Sequence, residues 1–300
     1  MANAAGVLAS AEAGVTTPKR KLLGRHLLSG GSTGTRLLLV ALLSLVSIFP
    51  LAYMVSLSFQ PTGEVLSFPP VLVPHHPTLL NYAQAWTEND FSGYFMNSVY
   101  VAIPTVVFTT FLSALTAYGF ARYRFWGKDV LFYFLLGALA VPAVLLVLPQ
   151  YLLMKDLGLL NTRIGLALLY TAGNIPFNTF LLRNFFQGVP RQFEEAMRLD
   201  GVREWGLLWR LILPLSIPAL ITVAMFTFNA SWDEYALAIT MINTPARRTL
   251  PIALELFIGE HTTAWGPMFA ATTIATIPHI IVFVLAQRWF QEGMSVSVPT

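Results

Sequence analysis

Six long apolar stretches alternate with short polar segments along the chain, at about residues 37–59, 95–121, 130–154, 164–186, 211–240 and 268–290. Each exceeds the roughly 20 residues that a helix needs to cross a hydrocarbon layer about 30 Å thick. The pattern predicts an all-α, polytopic membrane protein with six transmembrane helices. Residues 1–35 read as a flexible N-terminal tail, 36–295 as the membrane domain and 296–300 as a short C-terminal tail. The first stretch is longer than the 7–15 apolar residues of a cleaved signal, and the tail precedes it, so it reads as a retained helix.

Composition supports the bilayer as solvent. Hydrophobic residues make up 55% of the chain and charged residues 11%, against roughly 25% charged in a soluble domain. Mean hydropathy is +0.63. So few charges cannot cover a soluble protein of this size, and so much apolar material argues against disorder. There are no cysteines, which removes disulfides, thiolate catalysis and cysteine metal sites.

The placement of the charges gives an orientation. With both termini in the cytoplasm, 14 of the 18 Lys and Arg residues fall inside and four outside: Lys155, Arg163, Arg247 and Arg248. The acids divide seven inside and eight outside, so the basic residues alone carry the bias, as the positive-inside rule requires. The net charge of +3 therefore concerns topology, and nucleic acid is not an expected partner.

Enzymatic chemistry is absent from the motifs. There is no GxxxxGK[ST] loop and no HExxH. Gly30-Gly31-Ser32-Thr33-Gly34 fits GxSxG literally, but it lies in a Gly/Ser-rich tail and lacks the strand–turn–helix setting of a nucleophile elbow. His75-His76 sits between prolines and reads as a solvated loop. Proton-driven carriers place ionisable groups near the midplane. Here only Asp233 and Glu234, toward the outer part of the fifth stretch, and His279, after Pro278, come close. Asn97, Asn174, Asn178, Asn229 and Trp232 are the candidates for a solute path, each with helix packing as the competing role. Thr109, Ser113, Ala117 and Ala121 form a small-residue ridge for close helix contact.

One internal segment, 183–205, is both long and charged. Pro190 suits a first helical turn, Glu194 and Glu195 favour its N-terminal dipole, and Gly201 suits its end. Arg191–Glu195 and Glu194–Arg198 are i, i+4 pairs. Trp205, Leu208, Trp209 and Ile212 mark a second helix. The first helix is expected to turn Phe193, Ala196 and Met197 to one apolar side. That side could rest on lipid or dock in a groove on a soluble partner.

The run Glu194-Glu195-Ala196-Met197-Arg198-Leu199-Asp200-Gly201, with Pro214 in Leu213-Pro214-Leu215 thirteen residues after Gly201, resembles the EAA motif of ABC importer permeases. Ala117-Tyr118-Gly119-Phe120-Ala121-Arg122, Leu181-Leu182-Arg183-Asn184-Phe185-Phe186, Trp232-Asp233-Glu234-Tyr235 and Arg248-Thr249-Leu250-Pro251 resemble the MalG-like branch of carbohydrate importers. Met197 and Val202 depart from the alanines usual there, which should alter the fit of the docking knob. The resemblance implies the type I ABC importer permease fold in a bacterial or archaeal cytoplasmic membrane. It implies a homologous MalF-like second permease, a dimer of cytoplasmic ATPases and an extracytoplasmic solute-binding protein as partners. No cofactor is expected on this chain; ATP and Mg belong to the ATPases. It further implies a coupling helix at about 190–203, with Glu194, Glu195, Ala196, Met197, Asp200 and Gly201 as the ATPase-coupling residues, Glu195 and Asp200 fixing the helix and Gly201 making its turn. A glycerophosphodiester or polyol permease of the same fold is the alternative, and a secondary carrier the remote one.

Overall fold

A computed structural model describes residues 33–61, 63–65, 67–87, 90–258 and 263–295. The expected tails, 1–35 except its last three residues and 296–300, lie outside the described residues. Thirteen α-helices make up the described chain, with no strand beyond an isolated bridge between Ile258 and Thr263.

The helix α1 spans Thr33–Ser58, and its side chains from Leu37 to Leu51 are largely exposed. Its C-terminal end, from Tyr53 onward, belongs with the rest of the chain. There the Asn81 amide of α2 (Leu80–Thr87) donates to the carbonyls of Ser58 and Gln60 at 2.9 and 2.7 Å. The Gln60 amide in turn donates to Val71 O at 2.7 Å. These bonds satisfy the carbonyls left open where the helix stops.

Two parallel helices form the spine: α3 (Phe91–Arg122) and α6 (Arg163–Gly188). They pack along most of their length. The small-residue ridge explains how: Thr109, Ser113, Ala117 and Ala121 are all buried, so the two backbones approach closely. In the chain between them come α4 (Lys128–Gly137) and α5 (Ala143–Asp156), which meet at a bend of 103°. The bend has a local cause. Val141 precedes Pro142 and is extended at φ −82°, ψ 120°, because a residue before proline is disfavoured in the helical region.

After α6 come α7 (Arg191–Leu199), α8 (Glu204–Leu207), a π-turn at Leu208–Ile212, α9 (Leu213–Leu215) and α10 (Ile217–Trp232). The pair Glu204–Leu215 and Ile217–Trp232 is bent by 77°. Pro214 and Pro218 each remove a helical donor around the break at Ser216. α11 (Ala236–Met241), α12 (Leu250–Leu254) and α13 (Trp265–Ser295) complete the chain.

The six expected stretches thus differ in kind. Among the described residues three helices, α1, α3 and α13, are long and apolar enough to cross a membrane, and up to five spans result if each bent pair counts as one. The third and fifth stretches are broken rather than straight. α6, at 26 residues, has the length, but Tyr170, Asn174, Pro176 and Asn178 dilute its apolar character, and much of it is buried in the core.

Candidate functional site

At the α7 end of the spine, Ala117, Tyr118 and Ala121 of α3, Leu182 and Phe186 of α6, and Leu208 and Ile212 of the π-turn form one buried cluster. α7 meets this end of the spine at Arg122. Glu194 is its one buried residue. The carboxylate of Glu194 lies 2.7 Å from Nε of Arg122, the last residue of α3, and both side chains are 5% exposed. The contact is an ion pair whose Nε–H is not aimed at the oxygen. A second nitrogen of Arg122 donates to Val189 O at 2.9 Å. Arg198 bridges outward from Glu194 at 3.9 Å to Glu204 at 3.0 Å. The expected Glu194–Arg198 pair therefore forms loosely; Arg191–Glu195 does not pair among the described residues.

Gly201 ends α7 at φ +82°. Its N–H donates to Arg198 O and that of Val202 to Met197 O, both at 3.0 Å, the two bonds of a Schellman motif. An L side chain in this left-handed conformation costs roughly 1–2 kcal/mol, which is why glycine stands here.

With Glu194 turned inward, the opposite side of α7 presents Glu195, Ala196 and Leu199, all exposed. Asp200 is also exposed, and Met197 is half-buried. The expected apolar side, Phe193, Ala196 and Met197, is left largely open rather than packed within the chain, as either of its two expected uses requires. Phe193 is 54% exposed and Leu199 90%. A buried charge pair holds α7, and its apolar side chains are left open. The anchor within the chain is Glu194 and not Glu195 or Asp200, which are exposed; nothing local marks Glu194 for this, because its partner is on another helix.

The solute-path candidates divide. Asn97 donates to the carbonyls of Ala246 and Arg248 at 2.9 and 2.8 Å, and so holds a loop. Asn178 is buried and donates to the Thr227 hydroxyl at 2.8 Å, joining α6 to α10. Trp232 is buried, donates to Ala275 O at 3.2 Å and packs edge-on against Phe95. These three have structural partners. Asn174 is half-buried and donates only within α6, to Tyr170 O at 2.8 Å. Asn229 is half-buried on α10. Because α6 and α10 run antiparallel, with Asn178 bonded to Thr227 and Tyr170 to Glu234 just past the end of α10, Asn174 and Asn229 lie at similar depth. His279 pairs with Asp233 at 3.1 Å, and His75 and His76 are exposed.

Sequence reasoning missed the clamp at the opposite end. Asn161, at φ 59°, accepts from the N–H groups of Asn243 and Thr244 at 3.1 and 3.0 Å and donates to the Thr244 hydroxyl at 2.8 Å. Its own carbonyl accepts from Arg247 at 2.7 Å. Ser98 accepts from Leu250 N at 2.8 Å. The signal was present: Thr162 before an apolar run is an N-cap pattern, and its hydroxyl does accept from Gly165 N at 3.0 Å.

Comparison with known proteins agrees with this architecture. Residues 94–296 match the family model described as binding-protein-dependent transport system inner membrane component. The chain is 32% identical over 259 residues to the diacetylchitobiose uptake system permease protein NgcG of Streptomyces coelicolor, covering 86% of this chain and 85% of that one. It is 32% identical over 257 residues to the trehalose/maltose transport system permease protein MalG of Thermococcus litoralis, covering 85% and 92%. In fold it is similar to a chain from the crystal structure of a bacterial ABC transporter involved in import of the acidic polysaccharide alginate. That match has a TM-score of 0.75 at 24% identity, over 87% of this chain and 99% of the other. The chain belongs to the family of binding-protein-dependent transport system inner membrane components.

Proposed function

We propose that this protein is the MalG-like permease subunit of an ATP-driven importer and forms half of a translocation path for a sugar. The observation that carries the reading is the mounting of α7. Glu194 is locked to the end of α3 by Arg122, while Glu195, Ala196 and Leu199 face outward. A helix fixed on one side and open on the other suits transmission of force from a separate ATPase. The relatives named for diacetylchitobiose and for trehalose and maltose favour a carbohydrate.

In this reading all six stretches cross the membrane, the broken pairs and α6 included, and both termini are cytoplasmic. α6 spans about 39 Å at 1.5 Å per residue. A dimer of ATPases, which carries ATP and Mg, grips α7 through Glu195, Ala196, Met197 and Asp200. A MalF-like permease supplies the other half of the path, and an extracytoplasmic binding protein delivers the solute to the clamped loop. Asn174 and Asn229 face the solute, whereas Asn97, Asn178 and Trp232 hold the frame.

The test is Glu195→Lys in the assembled importer. The residue is exposed, so the chain should insert normally, with sugar uptake lost and ATP hydrolysis no longer stimulated by loaded binding protein. Wild-type uptake at normal expression would sink the coupling role. Uptake of a glycerophosphodiester in place of any sugar would overturn the substrate class alone.

A further inference from the structure

Beside the clamp, a groove of about 730 Å³ opens between α3 and α6. Tyr100, Pro104 and Phe108 line it at i, i+4 and i+8 on one helix, and Ile164, Leu168 and Thr171 at i, i+4 and i+7 on the other. The helices are parallel, so the apolar floor runs along them for about two turns, roughly 12 Å. Tyr100, Phe108, Ile164 and Leu168 are 46–69% exposed. At one end stand two guanidinium groups, Arg163 and Arg247.

These cations are poorly used by the protein itself. Among the described residues neither forms an ion pair with a carboxylate, and no acid lines the groove. Arg163 lies over the Tyr100 ring at 5.7 Å and reaches Ala246 O only at 3.4 Å. Its Nε is buried with no hydrogen-bond partner, and a buried donor without an acceptor is costly. Arg247 spends one nitrogen on Asn161 O. Arg163 is also the first residue of α6, where the helix dipole adds to the positive potential.

We infer that this groove binds an anionic phospholipid, with its phosphate between Arg163 and Arg247 and an acyl chain along Tyr100, Phe108, Ile164 and Leu168. Two guanidiniums above an apolar trough that runs parallel to the spanning helices match the two ends of such a lipid. A guanidinium fork bonds phosphate oxygens in pairs, and the outer nitrogens of Arg163 and Arg247 not spent on backbone carbonyls are the ones that would meet the phosphate. The site needs only that the chain lies in a bilayer; it does not depend on which solute is moved.

The test uses the full chain in its importer, reconstituted in nanodiscs of equal parts phosphatidylcholine and phosphatidylglycerol. Lipids retained after detergent extraction are counted by native mass spectrometry. Wild type should retain phosphatidylglycerol preferentially. Arg163→Gln with Arg247→Gln should lower that retention roughly tenfold, the scale of a lost charge-assisted bond. Leu168→Trp, which fills the trough and leaves the charges, should lower it as well and covers the case in which the double variant misfolds. Equal retention of both lipids by wild type, or unchanged phosphatidylglycerol in a folded variant of either kind, would overturn the inference. So would displacement of the lipid by millimolar inorganic phosphate, because the site would then be an anion site without a lipid.

Discussion

The carboxylate of Glu194 sits 2.7 Å from Arg122 Nε with both side chains 5% exposed, so α7 is tied to the spine by a charge pair sheltered from water. Removing one partner of a buried pair leaves the other charge uncompensated, at a cost of about 3–5 kcal/mol. Glu194→Ala should therefore lower the thermal unfolding temperature of the purified complex and abolish uptake. Glu195→Ala, one residue on but exposed, should leave the unfolding temperature unchanged. Fluorescence-detected size exclusion after heating reads both. Equal thermal stability of the two variants would remove Glu194 from the role of anchor.

The contrast between these neighbours shows where sequence reading stops. The pattern of residues 190–201 predicts a helix capped by glycine, and α7 with its Schellman turn follows it. Which glutamate points inward depends on Arg122, far away in sequence, and no local period reports it. The same limit holds for the spans. The apolar runs near 37–59, 95–121 and 268–290 emerge as long helices although each contains a proline, at 50, 104 and 278. Prolines at 142, 214 and 218 signal trouble in the others, but their number cannot say whether a helix kinks or turns by 103°. Likewise Asn97, Asn178 and Trp232 are recognisable as polar groups in apolar surroundings. Their partners Ala246, Arg248, Thr227 and Ala275 come only from the fold.

Asn161 organises the loop at 242–249 through one side chain and a left-handed backbone. Asn161→Gly keeps the backbone conformation accessible and deletes three side-chain bonds. Each bond contributes about 0.5–1.5 kcal/mol net, so the loop should loosen while the helices stay intact. A cysteine at Ala246, exposed in the same loop, should then react with maleimide several-fold faster in Asn161→Gly than in its absence. An unchanged rate would mean that Asn97 and Ser98 suffice to hold the loop.

The native chain has no cysteine, so single cysteines report topology without background. Thr87 and Arg203 are both exposed. Six crossings with cytoplasmic termini require that Thr87→Cys label in intact cells and that Arg203→Cys label only after permeabilisation. Labelling of both from outside would contradict the proposed orientation and remove the coupling segment from the ATPase side.

Asn178 and Asn229 offer a separation of frame from path. Asn178 is buried and bonded to Thr227 across two helices. Asn178→Ala leaves the Thr227 hydroxyl without that donor and opens a small void, so stability should fall by about 1–3 kcal/mol. Asn229 is half-buried, and Asn229→Ala should leave stability within about 0.5 kcal/mol of wild type. If Asn229 meets the solute during passage, its loss should slow maximal uptake several-fold. The half-saturating solute concentration, set by the binding protein, should hardly change. Uptake kinetics in proteoliposomes, paired with thermal unfolding of each variant, distinguish the two roles. A stability loss in Asn229→Ala as large as that in Asn178→Ala would assign both residues to the frame and leave Asn174 as the remaining solute contact.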